Sequence, residues 1–228
     1  MLNGKTITAL LPIKANSERV KGKNFRMFAG KPLFQWMLGT LLDIEEIDRV
    51  VINTDARQLI ENSGVRESDR LLIRDRKKQL QGDLVSMNLI LNDDIKAVKS
   101  GIYLMTHATN PLLSSTTVME ALGKYSVSSS HDSLFTVNRV QTRFYRQDMS
   151  AVNHNPDNLI PTQDLEPWFE ENSCLYIFSA ESFHSTNARI GNKPMMFETP
   201  RLESADIDEE NDWFIAEAIA QKLNGDKG

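Results

Sequence analysis

TITALLPIKANSERVKGKN, residues Thr6 to Asn24, joins an apolar run to a loop crowded with cations. Thr6 to Pro12 reads as the opening strand of the chain. The loop that follows carries Lys14, Arg19, Lys21 and Lys23 together with Asn16, Ser17 and Asn24, a concentrated set of anion donors. It lacks the Gly-x-x-x-x-Gly-Lys-Ser/Thr of a P-loop and the Gly-x-Gly-x-x-Gly of a dinucleotide fold, so a phosphate here would be gripped mainly by side chains. A solvated basic surface is the other reading of such a cluster, and spacing alone does not choose between them.

Outward from this segment the chain alternates short apolar runs with stretches of helical period. Leu33 to Leu42 reads as a helix entered through Pro32, whose missing N–H costs nothing in a first turn. Arg49 to Asn53 is a second strand, and Asp55 is a candidate N-cap for a helix over Ala56 to Asn62 that Gly64 stops. Leu71 to Ile73, a helix over Leu84 to Val98, the strand Ile102 to Thr106 and a helix over Thr116 to Tyr125 continue the rhythm. Parallel strands need a helix-length crossover, so the pattern implies a mostly parallel sheet covered on both faces, a three-layer α/β/α architecture. Ligands in such sheets bind beyond the carboxyl ends of the strands.

The rhythm breaks after Ser133 to Val137. Residues 138–170 are polar and rich in proline and arginine, among them Arg139 and Arg143, and are too short for a core of their own. We expect one domain over residues 1–228, with 138–170 as an inserted lid or oligomer arm. Alternation resumes with Cys174 to Phe178, a helix from Ala180, a strand Met195 to Glu198 and a last helix over about Glu209 to Leu223.

The chain has 228 residues and a formal net charge of −5, which excludes indiscriminate nucleic-acid binding. Its one cysteine, Cys174, can neither close an internal disulfide nor build a cysteine zinc site, and it reads as a buried hydrophobe. Met1 to Lys5 lacks the apolar stretch of a signal peptide, and no run approaches the roughly 20 residues that span a bilayer. The expectation is a cytoplasmic protein with no membrane partner. His131, His154 and His184 lack ligand spacing and read as surface residues, while Trp36, Trp168 and Trp213 read as packing residues.

Near the C-terminus, SADIDEENDW (Ser204 to Trp213) places Asp206 and Asp208 on either side of Ile207. In an extended segment both carboxylates face one side and Ile207 the other. Two hard oxygens suit Mg²⁺, which takes one or two carboxylates plus substrate phosphates. Capping of the last helix by Asp208 is the competing reading.

A basic loop and an acidic pair at the ends of one sheet are what a nucleotide and metal site requires. In that combination the sequence resembles the acylneuraminate cytidylyltransferases, the CMP-sialic acid synthetases, and in its first loop the CMP-Kdo synthetases. The ordered motifs are LLPIKANSERVKGKN, GKPL at Gly30 to Leu33, INTD at Ile52 to Asp55, Arg76 with Leu80 and Asp83, HATNPL at His107 to Leu112, TQDLEPWFEENSCLYIF from Thr162, and DIDEENDW from Asp206. The resemblance implies a Rossmann-like sheet of the nucleotide-diphospho-sugar transferase type with a dimerisation excursion. It implies a homodimer that joins CTP to a 2-keto-3-deoxy sugar acid, giving a CMP-sugar and pyrophosphate. By the same resemblance Pro12, Lys14, Ser17, Arg19, Lys23, Asn24, Arg76 and Asp83 would hold the nucleotide. Lys14, Arg19, Lys23 and Asp208 would carry the catalysis, Asp206 and Asp208 the Mg²⁺, and His107, Thr109, Asn110, Gln163 and Asn172 the sugar. Arg139 and Arg143 would be candidates to reach a neighbouring subunit's sugar carboxylate.

Three residues depart from the family's pattern. Its first-loop Arg is Lys14, the Gln of its Gln-Pro-Thr-Ser turn is His107, and the Arg of its Arg-Gln-Asp-Leu stretch is Thr162. The last two lie at sugar-facing positions, so the identity of the sugar is left open. A nucleotide-sugar glycosyltransferase is a rival reading, but there the metal pair usually follows a central strand. A non-catalytic homologue is the other, against which stand both aspartates, Ser17, Arg19 and Lys23-Asn24.

Overall fold

Ile7–Ile13 forms β1, every residue of it buried, because both of its faces are covered. Leu11, Ile13, Ala9 and Ile7 face one apolar layer and Leu10 the other, the period-2 alternation of a strand packed on both sides. The computed structural model describes residues 2 and 4–225. After a short hairpin of β2 (Met27–Phe28) and β3 (Lys31–Pro32) come α1 (Phe34–Asp43), β4 (Arg49–Thr54), α2 (Arg57–Asn62), β5 (Leu71–Asp75), α3 (Met87–Ala97), β6 (Ile102–Thr106) and α4 (Ser115–Val127). The second half adds β7 (Ser133–Val140), β8 (Trp168–Phe178), α5 (Ala180–Thr186), β9 (Pro194–Glu198) and α6 (Glu210–Gly225).

Seven strands form one sheet in the order β5-β4-β1-β6-β8-β7-β9. β1 pairs in parallel with β4 and β6, and β7 with β9, whereas β8 runs antiparallel to both of its neighbours. Phe34, Met37 and Leu41 of α1 and Val118, Ala121 and Leu122 of α4 cover one face. Leu91 and Ile95 of α3 and Phe183 of α5 cover the other, against Tyr103, Tyr176 and Phe178. The chain leaves β1 toward β4 and β5 and then crosses to β6 on the opposite side. The order therefore reverses between β1 and β6, which is where an open α/β sheet forms its crevice.

Several local expectations are corrected. Pro32 does not open α1; it pairs with Met27 in the hairpin, and the helix starts at Phe34. Asp55 does not cap α2, because its carboxylate accepts from the Ala15 N–H at 2.8 Å, and the Ala56 N–H is taken by the Thr54 hydroxyl instead. The third helix begins at Met87, not Leu84, whose side chain is fully exposed. The excursion is shorter than 138–170: beyond an irregularity between Phe135 and Val137, Asn138, Arg139 and Val140 pair with Glu170, Phe169 and Trp168. Apart from the half-buried Val140, those residues are polar or exposed, so the antiparallel ladder that holds them leaves no apolar alternation to read. The loop proper is residues 141–167. It folds back on itself through a bridge between Tyr145 and Ala151 and is fastened to β8 by Phe144 stacked on Trp168, with centroids 5.2 Å apart. Among the described residues no helix is long and apolar enough to cross a membrane.

Candidate active site

The basic loop after β1 is tied down before any ligand is considered. Asn24 donates to the Lys14 carbonyl at 2.9 Å, Gly22 turns the chain in the left-handed region at φ 62°, and the Phe25 and Arg26 N–H groups close onto the Gly22 carbonyl. Val20 anchors the loop in an apolar cluster with Phe28, Leu33, Leu112, Trp213 and Ile207. Burying Ile207 completely stabilises the site by roughly 1.5–3 kcal/mol, and it fixes the Asp206-Ile207-Asp208 segment against the basic loop. A hydrogen bond from the Ile207 N–H to the Thr109 carbonyl, 2.9 Å, adds the turn after β6 to the same assembly.

These three segments enclose a cavity of about 500 Å³ at the reversal between β1 and β6, within the range of about 300–1,000 Å³ usual for small-molecule sites. Pro12, Lys14, Ser17, Arg19, Lys23, Asn24, Arg76, Asp83, His107, Thr109, Asp206 and Asp208 all line it. Its electrostatics are paired. Lys23, nearly buried, donates to the Ile207 carbonyl at 2.5 Å and faces Asp208 at 3.2 Å, and Arg19 meets the other Asp208 oxygen at 2.9 Å. Burial pushes the Asp208 carboxyl up, but Lys23 and Arg19 outweigh it and hold the group below the usual range. Asp206 is raised by burial and by the neighbouring Asp208 and Asp212 charges. One of its oxygens is buried without a hydrogen-bond partner, as is the Ser17 hydroxyl. Lys14 pairs with Asp83 at 2.5 Å, which lowers the Asp83 carboxyl.

Arg76 is held from behind. Its Nε donates to the Asn53 side chain at 2.9 Å and an Nη to the Asn53 carbonyl at 2.7 Å, while burial lowers its pKa. Asn53 in turn donates to Asp94 at 2.8 Å, and Asp94 contacts Arg74. His107 is pushed down to about 4 by burial and by Arg189 and Lys23, so at neutral pH it is an uncharged hydrogen-bonding group. Cys174 is buried and pushed up to about 12 by burial, which makes it inert.

The helix-capping reading of Asp208 is corrected, because its carboxylate is taken by Arg19 and Lys23, while Asp212, in the first turn of α6, reaches back to accept from the Asp208 and Glu209 N–H groups at 3.0 and 2.7 Å. Three candidate sugar residues do not line the cavity. Asn110 is buried and donates to the Ala205 carbonyl, so it steadies the acidic segment from behind. Asn172 is committed to Asn138 and Thr199 at 2.9 and 2.7 Å. Gln163 lies exposed on a short 3-10 turn, its carbonyl accepting from Gln141, because residues 162–164 belong to the loop that leads into β8. Arg189, Ser173, Glu18 and Met87 line the cavity without having been marked by sequence. Ser173, at φ 58°, sits in the irregular stretch of β8, where the extra residues turn a side chain inward.

A hydroxyl or carboxylate bound among Lys14, Arg19 and Lys23 would meet concentrated positive charge, and the carboxylate pair offers hard oxygen ligands with one oxygen still unpartnered. Among the described residues no group of three or more His, Cys, Asp or Glu is arranged to hold a metal, so a cation here would rely on this pair and on substrate oxygens.

A family model described as Cytidylyltransferase matches residues 8–209. The chain is 24% identical over 226 residues to the pseudaminic acid cytidylyltransferase of Campylobacter jejuni, covering 94% of this chain and 96% of that protein. It is 23% identical to the N-acylneuraminate cytidylyltransferase of Escherichia coli, covering 97% of this chain but only 54% of the longer relative. In fold it is similar to the CMP:2-keto-3-deoxy-manno-octonic acid synthetase complexed with CTP, with a TM-score of 0.67 at 14% identity, covering 96% and 99% of the two chains.

Proposed function

The chain belongs to the cytidylyltransferase family, and from that premise we propose that it activates a sialic acid-like 2-keto-3-deoxy sugar acid with CTP, releasing pyrophosphate. The observation that carries the reading is the one cavity that Lys14, Arg19, Lys23 and Arg76 line together with Asp206 and Asp208, Arg19 and Lys23 both contacting the Asp208 carboxylate. The names of the C. jejuni and E. coli relatives supply the substrate class.

In this reading the anomeric hydroxyl oxygen of the sugar attacks the α-phosphorus of CTP. A new phosphorus–oxygen bond forms, the bond to the bridging oxygen of pyrophosphate breaks, and the hydroxyl proton passes to solvent. Lys14, Arg19 and Lys23 stabilise the charge that develops on the phosphate oxygens, and because Lys14 is held by Asp83 and the other two by Asp208 they need little reorganisation. Ser17 donates its unpartnered hydroxyl to the triphosphate, and Asn24 holds the loop in shape. Arg76, fixed by Asn53, faces the cytosine or ribose end, with Asp83 beside Lys14. His107 and Thr109 face the sugar. Asp206 and Asp208 would hold Mg²⁺, and the unpartnered Asp206 oxygen fits that role. When bound, Mg²⁺ supplies charge neutralisation on the phosphates.

The exposed apolar side chains of the arm, including Tyr145, Met149, Leu159 and Trp168, support a homodimer formed through it, and a cytoplasmic location accords with the substrates. The test is pyrophosphate release from CTP, UTP or ATP with N-acetylneuraminate, pseudaminate, N,N'-diacetyllegionaminate or Kdo in the presence of Mg²⁺. Release with CTP and one of the three nonulosonates is expected. Release with Kdo alone would move the assignment to the Kdo class, and silence with CTP across the panel would favour a non-catalytic nucleotide-binding homologue.

A further inference from the structure

A sugar acid brings a carboxylate into the cavity, and most of the cations that line it are already engaged. Lys14 faces Asp83, Arg19 and Lys23 share Asp208, and Arg76 turns its donors onto Asn53 and the Ile13 carbonyl. Thr162 is neutral and exposed on the 3-10 turn outside the cavity. Arg189, between α5 and β9, is different. Its guanidinium lies over the Tyr176 ring, 4.1 Å from the centroid, and its nearest carboxylate oxygen is that of Glu171 at 3.8 Å. Among the described residues it makes no hydrogen bond, so its fork of N–H donors is free for a ligand.

The support beneath it is rigid. The Tyr176 ring is fully buried, and its hydroxyl donates to Glu171 and contacts the Ser173 hydroxyl at 3.1 Å. Glu171 is thus occupied by the tyrosine as well as by the distant guanidinium. A planar cation stacked on a fixed aromatic face is preorganised for bidentate binding of a carboxylate. Arg189 also stands where two cavities meet: it and Met87 line both the main cavity and an adjoining groove of about 310 Å³ formed with Ser86, Asn88 and Ile190. It lies close enough to His107, on the turn after β6, to act on that ring electrostatically.

We propose that Arg189, set on the Tyr176 and Glu171 pad, binds the sugar carboxylate from within the same chain and places the sugar's remaining substituents toward the adjoining groove. This rests on the function proposed above. The test crosses two changes: wild type and Arg189→Gln, each with the best acid of the four-sugar panel and with the primary amide of that acid, at saturating CTP. Wild type is expected to prefer acid over amide by about 10- to 100-fold in kcat/KM, the range of a charge-assisted hydrogen-bonded pair, and Arg189→Gln to lose that preference. Arg189→Lys is expected to recover part of it, and the calorimetric affinity for CTP is expected to stay within about threefold in both variants. An acid preference that survives in Arg189→Gln would overturn the assignment and transfer it to Arg139 or Arg143 of a second copy. A parallel loss of CTP affinity would also overturn it, by showing a general collapse of the site. A wild-type protein that turns over none of the acids would instead overturn the underlying functional reading.

Discussion

Asp94 offers a quantitative test of how Arg76 is supported. Its side chain is 1% exposed, it accepts from Asn53 at 2.8 Å, and it contacts Arg74, which also reaches Asp93 at 2.9 Å. Burial raises its pKa from 3.8 to about 6, against the opposing pull of Asn53 and Arg74. Ionisation therefore costs more in the folded than in the unfolded chain. The contribution to stability is full below about pH 4 and is lost as the pH rises through about 6. A shift of about two units corresponds to roughly 3 kcal/mol, since one unit is about 1.4 kcal/mol. Asp94→Asn replaces the protonated acid by a neutral side chain of similar shape and leaves Arg74 its bond to Asp93. Urea unfolding of both proteins between pH 4 and 8 should show similar stabilities at pH 4 and a variant more stable by roughly 3 kcal/mol at pH 7.5. A difference that does not change with pH, or one that grows in favour of the wild type, would mean that attraction to Arg74 outweighs desolvation, and the reasoning would fail.

Lys23→Met removes both the tie to the Ile207 carbonyl and a phosphate-facing charge. It should lower kcat/KM by about 100-fold or more with the far-ultraviolet spectrum unchanged, and activity within threefold of wild type would contradict the assigned role. Chelation of divalent cations with EDTA should abolish turnover and excess Mg²⁺ should restore it; turnover that persists would remove the metal from the account. Cys174, buried and pushed up to about 12, should be unreactive toward an aromatic disulfide reagent in the native protein and titrate as one thiol after denaturation.

Much of this was legible in the sequence, and for specific reasons. The β1 strand and its basic loop are contiguous, so their chemistry can be read together, and the Asp206-Ile207-Asp208 alternation carries its own geometry in the spacing. The segments that were misplaced depend on partners far away in the chain. Asp55 looks like a cap until Ala15, 40 residues earlier, takes its carboxylate. The residues of β8 before Asn172 look like loop because pairing with the end of β7, not burial, makes them strand. Asp208 looks like a cap until Arg19 and Lys23, near the other end of the chain, take its carboxylate. Arg189 had no signal at all: it stands in a short connection, and only the folding of β8 beneath it brings Tyr176 under its guanidinium. The same physics places Asn110 and Asn172 outside the cavity lining, their side-chain amide N–H groups donated to the Ala205 carbonyl and to Asn138 and Thr199.

The central claim is transfer of a cytidylyl group. Its most direct test follows a radioactive phosphorus at the α-position of CTP, and in a parallel reaction at the γ-position, through incubation with Mg²⁺ and the sugar-acid panel. The account predicts that the α-label moves into a CMP-linked sugar while the γ-label leaves in pyrophosphate. An α-label that stays in CTP with every acid, or a γ-label released as inorganic phosphate, would contradict it.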